Sequence, residues 1–64
     1  MLIKVGDTIR TDFCTGDVQE IIDGIKKRWT SDIYYRIKVT DPKVHWRRRN
    51  QIVKIEEVKQ HHAN

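Results

Sequence analysis

Two clusters of positive charge, each beside a tryptophan, carry the side chains with the clearest chemical use: Lys26-Lys27-Arg28-Trp29 and Trp46-Arg47-Arg48-Arg49. A guanidinium group pairs with phosphate oxygens in bidentate fashion, and an exposed ring gives an unpaired base a stacking surface worth about 1 to 3 kcal/mol. Tyr34, Arg36 and Lys38 lie between the clusters on alternate positions, which one face of a strand would display together. These residues are the candidate contacts to a DNA or RNA backbone. Trp, Tyr and Arg are also enriched at protein hot spots, so a small adaptor or inhibitor that holds a protein partner is the alternative. The plainest reading is a solvated basic surface whose Lys and Arg stems cover a core filled by Trp46 or Tyr35. Backbone contact is favoured over base-specific reading, because no helix is expected that could enter a major groove.

Other chemistry finds less support. Cys14, His45, His61 and His62 are the conceivable metal ligands, but the only close pair is His61-His62, so no metal and no cofactor is expected. Cys14 and His45 meet only if the fold brings them together, and no third group is indicated, so no catalytic residue is assigned and the protein is expected to be non-enzymatic. Asp7, Asp12, Asp17, Glu20 and Asp23 read as turn-formers and a solvated acidic face. That face limits nonspecific adhesion, or meets the basic patch of a second copy, which suits a monomer or weak homo-oligomer.

The 64 residues have room for one domain with a compact core. Cys14 is alone, so an internal disulfide is impossible, and a lone thiol suits a reducing compartment. Apolar runs are short, and no charged segment followed by an apolar stretch opens the chain; no membrane span or signal peptide is expected, and the location is expected to be cytoplasmic. The formal net charge is +4. It divides into −3 over residues 1–23, +7 over 24–50 and 0 over the remainder, so the positive charge is concentrated mid-chain.

The elements that must position these side chains are strands. Val5-Gly6-Asp7 is a turn signal leading into a first strand over Thr8 to Phe13, where Ile9, Thr11 and Phe13 alternate with polar residues. Cys14-Thr15-Gly16-Asp17 is the next turn, with Gly16 available for a positive φ, and Val18 to Ile22 a second strand. Ile25 to Asp32 reads as a long basic loop. Ile33 to Thr40 is the clearest strand, with Tyr35, Ile37 and Val39 on one face and Tyr34, Arg36 and Lys38 on the other. Asp41-Pro42-Lys43 is expected as a tight turn into a fourth strand over Val44 to Arg48, and Arg49-Asn50-Gln51 as one 3₁₀ turn. Ile52 to Val58 follows as a fifth strand, although a helix from Asn50 through Lys59 is the alternative; β-branched Ile52, Val53, Ile55 and Val58 favour the strand. The domain core is placed at about residues 5–58, with residues 59–64 as a frayed tail. Val5, Ile9, Val18, Ile21, Tyr35, Ile37, Val39, Val53 and Ile55 are the expected interior.

Five short strands with a single 3₁₀ turn before the last are the layout of an SH3-like barrel. The segments VGDTIR, GDVQEI, YYRIKVTD and WRRRNQIVKI resemble the pattern of KOW, Tudor-like and integrase C-terminal barrels. The resemblance implies an all-β, five-stranded SH3-like barrel over nearly the whole chain, and leaves function to the surface residues. Two departures stand out. Trp29, Tyr34 and Trp46 supply only parts of a methyl-lysine cage, and the acidic loop and paired aromatics of proline-peptide readers are missing.

Overall fold

The computed structural model describes residues 2–23 and 33–64. The expected loop over 25–32 lies outside them. The chain forms five strands, with period-two alternation of buried and outward side chains clearest in the third: β1 (Thr8–Arg10), β2 (Thr15–Asp23), β3 (Ile33–Val39), β4 (Asn50–Lys54) and β5 (Gln60–His62). They form one antiparallel sheet in the order β4-β3-β2-β1-β5. Among the described residues β4 and β5 are its two edges and do not pair with each other.

Ile9, Val18 and Ile37 are fully buried, and with Ile3, Tyr35, Val39 and Val53 they make the core. Burying each such aliphatic side chain contributes about 1.5 to 3 kcal/mol. Ile55 packs half-buried against this cluster. Two expected core residues are outside it. Val5 is 62% exposed because it occupies the turn before β1, which closes with Gly6 at φ +95° and an Asp7 N–H to Lys4 carbonyl bond of 3.0 Å. Ile21 is 41% exposed although it stands opposite buried Tyr35. β1 is short: on β2 it pairs with Thr15, Gly16 and Asp17, and among the described residues no strand continues alongside the far half of β2 on that side. A bulge between Val18 and Glu20 inserts Gln19 and keeps Ile21 in phase with Tyr35.

Other expectations give way to side-chain hydrogen bonds. The first strand stops at Arg10 rather than Phe13, because the buried Thr11 hydroxyl accepts from the N–H groups of Phe13 and Cys14, each at 3.1 Å, and turns the chain there. Gly16 lies within β2 and not in a turn, and its φ is not positive. It is needed for proximity: a Cβ there would meet the Lys38 carbonyl oxygen at 2.8 Å and Ile37 Cδ1 at 2.9 Å.

The expected fourth strand over Val44 to Arg48 does not form. Asp41 Oδ1 accepts from the Lys43 N–H at 2.9 Å, and the Val44 N–H reaches the Asp41 carbonyl at 3.1 Å, but the chain then enters a 3₁₀ turn over Trp46–Arg48. The turn falls earlier than Arg49-Asn50-Gln51, and the strand that pairs with β3 is Asn50–Lys54, a strand rather than a helix. A second 3₁₀ turn, Ile55–Glu57, replaces the end of the expected fifth strand. The expected frayed tail contains β5, which pairs with β1 from Thr8↔His62 to Arg10↔Gln60.

The close approach at Gly16 makes a direct prediction. Gly16→Ala should lower stability by about 1 to 3 kcal/mol, the usual cost of overpacking. In a domain of this size that is a fall in Tm of about 4 to 8 °C per kcal/mol, measured by thermal circular dichroism.

Candidate nucleic-acid interface

Strand alternation turns Tyr35, Ile37 and Val39 inward, and Tyr34, Arg36 and Lys38 outward, as their spacing requires. The outer face is not a continuous run of cations. Register places Arg36 between Glu20 and Ile52, Lys38 between Asp17 and Asn50, and Tyr34 between Ile22 and Lys54. Arg36 Nε donates to Glu20 Oε2 at 3.2 Å, an exposed pair worth about 0 to 1 kcal/mol that solvent and salt screen. Tyr34 is half-buried and offers less than a full ring face. Lys38 is exposed and has no carboxylate partner among the described residues.

The arginine cluster is better presented. His45 caps the 3₁₀ turn, its Nδ1 accepting from the Arg47 N–H at 3.2 Å, and the Arg48 N–H closes onto the His45 carbonyl at 2.8 Å. This local bonding overrides the strand tendency of the segment. Trp46 is left 65% exposed, stacked on the His45 ring with centroids 5.6 Å apart, and the Arg47 Cζ lies 5.0 Å from the Trp46 ring centroid. A cation over an exposed indole is worth about 0.5 to 1 kcal/mol, enough to bias the guanidinium without locking it. Arg47 and Arg48 are exposed, with no carboxylate partner among the described residues.

Arg49 has a different task. Its Nε donates to the Val44 carbonyl at 2.9 Å and its Nη2 reaches the Pro42 carbonyl at 3.5 Å, so the half-buried guanidinium ties the two ends of the loop together. The structure therefore brings Trp46, Arg47 and Arg48 together on one turn, keeps Arg36 and Lys38 on the sheet, and commits Arg49 to the loop. Lys26, Lys27, Arg28 and Trp29 lie outside the described residues.

Two features escaped the sequence. Phe13, expected to end the first strand in alternation with Ile9 and Thr11, lies beyond it and is 90% exposed. It lines shallow grooves of about 300 and 280 Å³ that run between the turn after β1 and the segment around Val44, with Cys14 and Val39 beneath. Asp7, expected on a solvated acidic face, is only 4% exposed, and His61, expected in the frayed tail, is half-buried against it. Their Oδ2 and Nε2 atoms are 2.6 Å apart. The His61 hydrogen bond, and then the one from the Lys4 backbone N–H, hold the Asp7 carboxyl below its usual range. An ionised Asp7 only accepts, so Nε2 is the protonated nitrogen of His61. The only signal in the sequence is an Asp in the first turn and a His near the end. Burial raises the pKa of the Tyr35 hydroxyl. Among the described residues no three His, Cys, Asp or Glu side chains gather as a metal site, and no helix is long and apolar enough to cross a membrane.

The lowered Asp7 pKa fixes the sign of a pH effect. A group that is more acidic folded than unfolded contributes stability above its unfolded pKa of about 3.9, and that contribution is lost as pH falls through the folded value. Denaturant melts between pH 7 and pH 2 should show wild-type stability falling below about pH 4, with a shallower fall in Asp7→Asn, which also starts from lower stability at pH 7. Compared with protein families, curated proteins and solved structures, the chain finds no match in any of the three.

Proposed function

We propose that this chain is a small, non-catalytic, cytoplasmic module of the SH3-like barrel type that binds the phosphate backbone of nucleic acid. The observation that carries the reading is the turn over His45 to Arg49, where Trp46 is exposed and Arg47 and Arg48 stand beside it with no carboxylate partner among the described residues. Arg47 and Arg48 are the principal phosphate ligands, Lys38 extends the positive surface onto β3, and Arg36 contributes once it leaves Glu20. Lys26, Lys27, Arg28 and Trp29 belong to the proposed surface on sequence grounds. The barrel reading draws support from the strand order β4-β3-β2-β1-β5 with a 3₁₀ turn between β4 and β5, the order in which an SH3-like meander returns its last strand to its first.

Phosphate binding releases counterions, so log affinity should fall linearly with log salt. Fluorescence anisotropy of labelled oligonucleotides across a salt series should give a steep negative slope. Arg47→Ala/Arg48→Ala should make it shallower by about one unit per arginine. Arg49→Ala is the contrasting variant: it should leave the slope unchanged at 25 °C and lower Tm, since losing the loop tie costs about 1 kcal/mol. No binding at low salt, or a slope that ignores the double substitution, would reject the nucleic-acid reading in favour of a protein partner held by Trp46.

A further inference from the structure

We propose that the groove beside Phe13 seats an unpaired base, which makes the ligand a single strand of nucleic acid rather than a duplex. This rests on the nucleic-acid reading and narrows it. Phe13 has no packing role that explains its place: the ring is 90% exposed in a chain whose core is small. Its position is nevertheless set, because the Thr11 hydroxyl accepts from both the Phe13 and Cys14 N–H groups, and the Thr11 N–H is bonded to the Cys14 carbonyl at 2.8 Å. A large ring held out on a closed turn is a stacking platform.

The groove next to it has the parts a base needs. Apolar Cys14, Val39 and Val44 line it together with Phe13, Arg48 and Gln51, in an open groove of about 280 Å³. Gln51 Nε2 donates to the Arg48 carbonyl at 2.6 Å, so the rim is braced from within. Charge on this side of Phe13 suits an anion: the residues that line the groove include Arg48, which has no carboxylate partner among the described residues, and no Asp or Glu, whereas Asp12, Asp41, Glu56 and Glu57 line the adjoining grooves on the ring's other sides. Arg48 and Phe13 line the same groove, so one nucleotide can set its phosphate on the guanidinium and its base on the ring. A duplex cannot offer that base, since both its faces are already covered by stacking.

The test compares a single strand with the duplex of the same sequence and length, using the full chain and anisotropy at fixed salt. The single strand should bind at least tenfold more tightly. Phe13→Ala should weaken it about 5- to 150-fold, the equivalent of the 1 to 3 kcal/mol that one stacked base contributes. Phe13→Trp should retain the affinity, duplex binding should not respond to either variant, and Tm should stay within a few degrees of wild type. Equal binding of strand and duplex, or unchanged single-strand affinity in Phe13→Ala while Arg47→Ala/Arg48→Ala still weakens it, would overturn this inference and leave backbone binding standing. A large fall in Tm for Phe13→Ala, without rescue by Phe13→Trp, would also overturn it, by making Phe13 a structural residue. Absence of binding to every polymer would overturn both readings.

Discussion

The contact between Asp7 and His61 joins parts of the chain that are 54 residues apart, and the arrangement of the sheet depends on it. β1 has only three residues, yet it carries β2 on one side and β5 on the other. The backbone pairs on the β5 side are few, so side-chain bonds supplement them. Asn64 Nδ2 donates to the Gly6 carbonyl at 2.9 Å and to Thr8 Oγ1 at 2.8 Å, and the Lys59 N–H reaches the Arg10 carbonyl at 2.7 Å. A buried carboxylate is costly unless it is bonded, and Asp7 is bonded on two sides. A polar pair thus does what a larger core would do in a longer protein.

The same economy shapes the binding surface. Strands in so small a sheet have little room to display cations together, and the outer face alternates them with Asp17, Glu20, Ile22 and Ile52. The turn between β3 and β4 escapes this limit because three successive residues can point outward around a 3₁₀ turn without serving the core. Rigidity there comes from the His45 cap and from Arg49, whose charge is directed at backbone carbonyls. One arginine of the run therefore orders the loop on which its neighbours are displayed.

Much of the sheet was legible in the sequence. The alternation of Tyr35, Ile37 and Val39 against Tyr34, Arg36 and Lys38 correctly gave both faces of β3, and Ile9, Val18 and Val53 were recognisable as core. What failed has a common cause: side chains bonded to backbone, or to distant residues, leave no periodic trace. Thr11 ends β1 and turns Phe13 outward through its hydroxyl, and His45 converts an expected strand into a turn. His61 looked like part of a loose end because its partner is at the opposite end of the sequence. For the candidate site, composition indicated Trp46, Arg47 and Arg48, but a strand was the wrong scaffold for them, and separating Arg49 from Arg48 required the hydrogen bonds.

The position of β5 also bears on the order in which the molecule assembles. β3 pairs with β2 and with β4, its neighbours in the chain, whereas β5 must find β1 across almost the whole sequence. Loop-closure entropy grows with the length of chain enclosed, so the β2-β3-β4 meander can form before the β1-β5 edge repays its closure. That edge is then the last to zip and the first to open. Amide exchange would resolve the molecule into a slow central meander and a faster seam running through Ile9 and His61.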